Sequence, residues 1–470
     1  MATPSYDKTS AESILAYART LLGKTLHDVY PEAGLVSGGK GGLGQSVEKY
    51  HFGYEPNSIS DADFSEAGVE LKCTPLKTIQ DGSMVAKERL VLNLINYFDE
   101  LDKDFWTSSF SRKNALLLLM FYLHQKGVHQ MDLLFKIIRL WSIPEEDLKI
   151  FIDDWNYIHN KIVTGQAHEL SEGDTLYLAA CTKGANSDSK VAQPKSGVLA
   201  KQRAYSIKPS YLNSIIVESL QHPEMCDGVA MTPAKAKKIK QKKQAIGHVV
   251  RSVTEYQTGE TFEQLVARRF SPFIGLSVRE IEKRLRVKIS KSPKAMSYSV
   301  CRAILGVKER KIAEFEKANI RLKSVRLEPT GRLKEAMSFQ TIKYHEIINE
   351  EHWEDSDWYN TIATQKLMFI VFRKNANKKD RDAVLEKAFF WSMPMRDIEL
   401  AADYWKDTRD KVLNNDYDHF IKASDKPHIC HVRPKAKNAS VLVDTPQGGK
   451  TKQYCYWLNR DYILNIVNSH

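Results

Sequence analysis

The sequence predicts a mixed α/β chain in which one domain, a central sheet flanked by helices, is written twice in tandem. Three observations carry this expectation. At 470 residues the chain is longer than one ordinary hydrophobic core accommodates, so two domains are the natural division. Blocks of sequence recur about 250 positions apart. Within each copy, short strand-like runs alternate with amphipathic helical stretches, the pattern of a sheet covered by helices.

The repeat is read from three separated matches. LWSIPEEDLKIFIDDW at 140–155 returns as FWSMPMRDIELAADYW at 390–405, with Trp141, Ser142, Pro144, Asp147 and Trp155 matched by Trp391, Ser392, Pro394, Asp397 and Trp405. EAGVELKCTPL at 66–76 is echoed by KANIRLKSVRL at 317–327, and AYSIKPSYLNSII at 204–216 by CYWLNRDYILNIV at 455–467. Shared order and spacing, not composition alone, mark a duplication. The expected organisation is a first domain over 1–220, a basic linker over 221–255 and a second domain over 256–470. The linker contains PAKAKKIKQKKQ at 233–244, which suits either a solvated connection or a strap against phosphates.

Composition narrows the class. The chain carries 69 Lys and Arg against 58 acidic residues, a net charge of +11, which suits a polyanionic partner. Its six cysteines form no CxxC pair, so neither a disulfide framework nor a zinc ribbon is expected. The polar start MATPSYDKTS lacks the apolar core of a signal peptide, and the longest apolar run, Ala115 to Leu123, is too short to span a bilayer. A cytoplasmic protein with no membrane partner is the expectation.

Taken in order, the first copy opens with a glycine-rich turn at 38–44 leading into a helix that carries Glu48. Gly39, Gly41 and Gly44 satisfy GxGxxG, but no strand precedes them and no βαβ unit follows, so a dinucleotide site is not expected. The run Val69 to Leu76 reads as a strand. Strict alternation in GVELKC puts Val69, Leu71 and Cys73 on one face and Glu70 with Lys72 on the other. A turn at Glu66-Ala67-Gly68 would bring Asp63 back beside them. Two carboxylates and an ammonium suit phosphodiester hydrolysis: hard oxygens hold Mg2+, which neutralises the phosphate and activates water, while the lysine orients that water or balances charge. An ExK pair alone fits a solvated ion pair equally well. The run Ala115 to Leu123 reads as a buried strand, and LKIFIDDWNYIHNKI repeats its apolar residues at helical spacing. At the corresponding positions the second copy carries Glu314, Arg321 and Lys323, and a guanidinium cannot bind a metal ion.

Four blocks of the first copy resemble the mismatch-repair nicking endonuclease MutH and the GATC-cutting restriction enzymes related to it, the Sau-three-A type. They are GGKGGLGQSVEKYHFG at 38–53, Asp63 with GVELK at 68–72, SSFSRKNALLLL at 108–119 and TGQAHELSEGDTLYLAACTKGAN at 164–186. In the second copy RPKAKN at 433–438 is similar to that family's DNA-contacting loop. The resemblance implies two tandem restriction-endonuclease-like domains, a Mg2+-dependent cut at GATC and a 5′-phosphate product. It makes Asp63 and Glu70 metal ligands, Lys72 the catalytic lysine, and Glu48 and Lys113 further active-site groups. It gives Lys366 as the counterpart of Lys113, and Cys301 or Arg302 as that of Glu48. It implies DNA contacts by Lys183 and Asn186 in the first copy and by Arg433, Lys435 and Asn438 in the second. Tyr205 and Tyr456 match a tyrosine placed near the adenine, though ordinary strand aromatics would look the same. The first copy has Cys181 and Thr182 where the family has Arg-Pro, a departure at its base contact. The expected function is therefore a type II restriction endonuclease whose second domain holds another DNA site, acting through a transient homodimer or DNA loop. A methyl-directed nicking enzyme and a non-catalytic DNA-binding protein are the alternatives.

Overall fold

The computed structural model describes residues 5–39, 41–56, 61–183, 189–227, 245–376, 380–435 and 441–470. Contacts divide the chain into two compact units. Unit 1 comprises Met1–Leu170, Thr175–Val253 and Glu309–Asn319; unit 2 comprises Ser171–Asp174, Thr254–Lys308 and Ile320–His470. The basic run 233–244 lies outside the described residues.

Unit 1 is built on strands β1 (Val69–Thr78), β2 (Met84–Ala86), β3 (Leu90–Leu94), β4 (Leu116–Leu123), β5 (Phe135–Trp141), β6 (Leu178–Thr182), β7 (Lys190–Gln193), β8 (Ser196–Lys201) and β9 (Arg203–Ile207). The main sheet runs β2-β1-β4-β5, with β1 and β4 parallel and the other pairs antiparallel; a second sheet runs β3-β9-β6. The run Leu117–Phe121 is fully buried, which is why it is apolar throughout instead of alternating. Two short strands, β10 (Ile246–Gly247) and β11 (Lys311–Ile312), pair in parallel and also belong to this unit.

Unit 2 repeats the plan with β12 (Arg321–Leu327), β13 (Met337–Thr341), β14 (Leu367–Arg373), β15 (Val384–Trp391), β16 (Cys430–Pro434), a β17–β18 hairpin (Leu442–Asp444 and Lys450–Lys452) and β19 (Tyr454–Leu458). Its sheets run β12-β14-β15 and β13-β19-β16, again with the first pair parallel. Each unit carries a 19-residue amphipathic helix entered through a proline, Glu145–Val163 and Met395–Leu413. The aspartate in the first turn of each, Asp147 or Asp397, is buried and accepts a bond of 2.7 Å from Tyr211 on the helix Pro209–Ser219 or Tyr462 on the helix Arg460–Ser469. The repeat thus preserves a buried polar contact as well as apolar spacing. That is strong evidence that both halves descend from one fold.

The register fixes the correspondence between copies. Leu117 pairs with Glu70 and with Trp141; Leu367 pairs with Arg321 and with Trp391. Arg321 therefore stands at Glu70's place and Lys323 at that of Lys72. The same register corrects one expectation. Lys366 directly precedes Leu367 and so occupies the place of Leu116, while the Ser108-capped and Ser356-capped helices put Thr361 opposite Lys113. Lys366 is not the counterpart of Lys113.

Candidate active site and its basic counterpart

In unit 1, Gly68 adopts φ +65°, a conformation that an L side chain disfavours, and turns the chain back on itself. Phe64 N–H donates to the Val69 carbonyl at 2.9 Å, and Val69 N–H to that of Phe64 at 3.2 Å. This tight return lays Asp63 against β1, as the spacing predicts. Its Oδ2 accepts from Leu71 N–H at 2.9 Å, and its own N–H donates to Glu70 Oε2 at 3.2 Å. Lys72 Nζ lies 2.5 Å from Glu70 Oε1, and Lys113 Nζ lies 3.7 Å from the same oxygen. Lys113 is delivered by the helix Ser109–Asn114, which ends where β4 begins beside β1.

Glu48 comes from the helix that follows the glycine-rich turn. At Gly42 the reason for a glycine is packing: a Cβ there would lie 2.2 Å from the Ser37 carbonyl oxygen. From Val47 to Phe52 the helix widens into a π-turn, a feature that often marks functional positions, and it stops at left-handed Gly53.

Electrostatics bind these groups together. Glu70 is 1% exposed; burial raises its carboxyl above the ordinary range, against the pull of Lys72. Burial, reinforced by Asp63, pushes Glu48 up to about 7. Asp63 and Glu70 are joined through the Asp63 N–H, and both act electrostatically on Glu48. A buried acid beside a second carboxylate is a hard-oxygen donor set whose repulsion a divalent cation relieves, so these residues fit such an ion. Sequence reasoning missed Tyr54. Its hydroxyl is buried without a hydrogen-bond partner, and burial with Asp63 and Glu48 nearby holds the phenol strongly protonated. Only the chain reversal at Gly53 brings it there, and spacing alone carries no signal of that.

Unit 2 has kept the scaffold and inverted the charge. The shared helix ends at Gly53 and Gly306 place Cys301, buried and 4.0 Å from the Met368 sulfur, at Glu48's position. Left-handed Asn319 stands where Gly68 does, making Glu314 the counterpart of Asp63. Glu314 belongs to unit 1, where its carboxylate accepts from the N–H groups of Val249 and Val250 at 3.0 and 3.1 Å. Lys366 is committed elsewhere too: it pairs with Glu263 and donates to the Asp174 carbonyl at 2.5 Å.

The DNA-contact residues divide by exposure. Lys183 and Lys435 are exposed at the ends of β6 and β16, each with its N–H held at 2.8 Å, by Gln202 and Gln453 respectively. Arg433 is exposed, its guanidinium 3.7 Å from the centre of the Trp457 ring; its structural equivalent, Cys181, is buried. Asn186 and Asn438 lie outside the described residues. Tyr205 and Tyr456 do not face solvent. Tyr205 is fully buried against Phe110, and Tyr456 stacks on Trp358 at 4.4 Å. In this conformation both are core aromatics of the second sheets, because their strands turn those positions inward, and neither presents an edge to a base.

An acid pair and two ammonium groups at one strand of a mixed sheet define a metal-dependent nuclease. Comparison with known proteins makes this specific. The family model described as DNA mismatch repair enzyme MutH matches residues 52–154 and again 306–403. The chain is 33% identical, over 485 residues covering 91% of it and 92% of its relative, to the type II restriction enzyme Sau3AI of Staphylococcus aureus. It is 25% identical over 219 residues, 44% of this chain, to the DNA mismatch repair protein MutH of Escherichia coli O6:K15:H31, and equally to that of Shigella flexneri. The chain belongs to the Sau3AI family of type II restriction endonucleases, with two MutH-like domains in tandem. It is a deoxyribonuclease of a family that works with a divalent metal. Among the described residues no helix is long and apolar enough to cross a membrane.

Proposed function

We propose that the chain cleaves double-stranded DNA at GATC with Mg2+ and leaves 5′-phosphates, acting in the cytoplasm. The domain over 1–220 cuts, and the domain over 256–470 holds a second DNA site that governs cutting. The observation that carries this reading is the edge of β1: Asp63, Glu70 and Lys72 are held together there, while the same edge in unit 2 carries Arg321 and Lys323. Bound Mg2+ supplies phosphate neutralisation and an activated water. Asp63 and Glu70 would hold the ion. Lys72 and Lys113 place positive charge where the phosphorane develops negative charge. Glu48, half-ionised near pH 7, can take up a proton at its carboxylate.

One working edge cuts one strand, so a double-strand break requires two molecules or two successive events, through a transient homodimer or a DNA loop. Digestion of a supercoiled plasmid of known sequence, with and without Mg2+, followed by mapping of the ends, tests the reaction. Ends that do not map to GATC, or cleavage without divalent ion, would overturn it. Equal rates on one-site and two-site plasmids at every enzyme concentration would overturn the regulatory part.

A further inference from the structure

We infer that the inverted edge of unit 2 is a metal-free grip for one backbone phosphodiester of the second DNA site, formed by Arg321, Lys323 and Lys435. This rests on the proposed role of unit 2 and says which group of the DNA it reads. In unit 1 the lysine of this strand has an acid to pair with, Lys72 on Glu70. In unit 2 that acid is Arg321, and among the described residues no carboxylate pairs with Arg321, Lys323 or Lys435.

Two of the three cations are drawn together by one element, and Arg321 lies two residues from Lys323 along β12, on the same strand face. Phe339 of β13 lies under the Lys323 ammonium, 4.0 Å from ring centre to Nζ, and its carbonyl accepts from Lys435 Nζ at 2.6 Å. Lys435 is also the exposed lysine of the loop that resembles the family's DNA-contacting segment. Lys323 is half-buried, and burial, then Lys435 and Arg321, lowers its ammonium to about 8. A desolvated cation beside two others is costly until an anion arrives. The Phe339 ring and the carbonyls of Ser338 and Phe339 are weak compensation, so the cluster suits an anionic ligand. The chemistry fits a phosphodiester monoanion: two ammonium donors share Phe339, the Arg321 guanidinium stands on the same strand face as Lys323, and among the described residues no carboxylate pairs with them. Its place matches that of the metal-binding edge in unit 1, so the bound step of the second site corresponds to the step unit 1 would cut.

The test uses the full chain cutting a plasmid with one GATC, stimulated in trans by a short GATC duplex. A series of duplexes carries a single uncharged methylphosphonate at successive steps of each strand. The expected result is that one step raises the duplex concentration for half-maximal stimulation by about tenfold, one ionic phosphate contact's worth. Lys323→Gln and Lys435→Gln should each produce a similar loss with the unmodified duplex. Neither loss should add to that of the sensitive methylphosphonate, since both remove the same contact. Because the modified duplexes leave the protein untouched, a variant that fails to fold does not spoil the test. Stimulation that ignores every methylphosphonate, or fully additive losses, would overturn the grip and leave the second-site reading intact. No stimulation by any duplex would overturn both.

Discussion

The two β1-type edges share a register and differ in charge. Glu70 pairs with Leu117 in one unit and Arg321 with Leu367 in the other, with β12-β14-β15 repeating the β1-β4-β5 part of the first sheet. In unit 1 a buried acid is held by Lys72 and by the Asp63 N–H; in unit 2 an exposed arginine stands in its place beside a lysine over a ring. The scaffold survives because neither edge residue supports it. The buried strands, the long helix and the Asp–Tyr contact at the helix start hold each fold. Chemistry therefore lives in a few side chains grafted on a stable frame, and one copy could lose them without unfolding.

The largest expected effect breaks the comparison at its centre. Glu70→Ala should lower cleavage by roughly three orders of magnitude or more, because it removes a carboxylate proposed to hold the metal ion. DNA binding should persist. In that background Arg321→Glu should restore nothing. The acid that the repeat assigns to Asp63, Glu314, is engaged by the backbone of Val249 and Val250 in unit 1. Cleavage recovered by the double variant, measured as linear or nicked plasmid, would mean that unit 2 still assembles an acid pair.

How much of this was legible in the sequence follows from the same residues. The duplication and the Asp63, Glu70, Lys72 cluster were readable, because strand alternation and a glycine turn are local. Lys113 was readable from the block before the buried strand. The fate of the second copy was less so. The resemblance matched Lys366 to Lys113, and only the β14 register separates them. Burial of Tyr205 and Tyr456 depends on which face of β9 and β19 meets the helices, which alternation in short strands does not settle. The assignment of residues 309–319 to unit 1 is a long-range packing outcome that leaves no mark in a linear pattern.

That correction gives the next prediction. Lys113→Ala should cut the rate by about 10- to 100-fold with little change in Tm, since its ammonium faces the active-site carboxylate. Lys366→Ala should do the reverse. It leaves Glu263 without its partner inside unit 2 and should lower Tm by roughly 2–4 °C per kcal/mol lost, with cleavage by unit 1 kept. A catalytic defect in Lys366→Ala with unchanged Tm would restore the discarded correspondence.

Glu48 and Cys301 sharpen the comparison through pH. The Glu48 carboxyl sits at about 7 in the fold against 4.5 ordinarily, so the folded state holds this proton more tightly. Its contribution to stability is complete below pH 4.5 and is lost as pH rises through 7. Without divalent ion, Glu48→Gln should remove that decline and leave the variant with a Tm higher than wild type at pH 8, by roughly 2–4 °C, because water screens part of the cost. Below pH 4 the two should coincide. A wild-type Tm that does not fall between pH 5 and 8 relative to Glu48→Gln would show that the acid cluster is not strained.

The smallest effect separates the two Asp–Tyr contacts. Asp147 has a second partner, Lys317, whose Nζ lies 2.6 Å from it, whereas among the described residues Asp397 has besides Tyr462 only the exposed Arg396 at 3.6 Å. Tyr211→Phe therefore leaves a buried carboxylate still paired and should cost about 1 kcal/mol, one ordinary hydrogen bond. Tyr462→Phe leaves Asp397 nearly unsatisfied in the core and should cost about 1–2 kcal/mol more than that. Denaturant midpoints of the two variants order the costs directly. If Tyr211→Phe proved the more damaging, the Lys317 contact, and with it the assignment of residues 309–319 to the first unit, would not hold in solution.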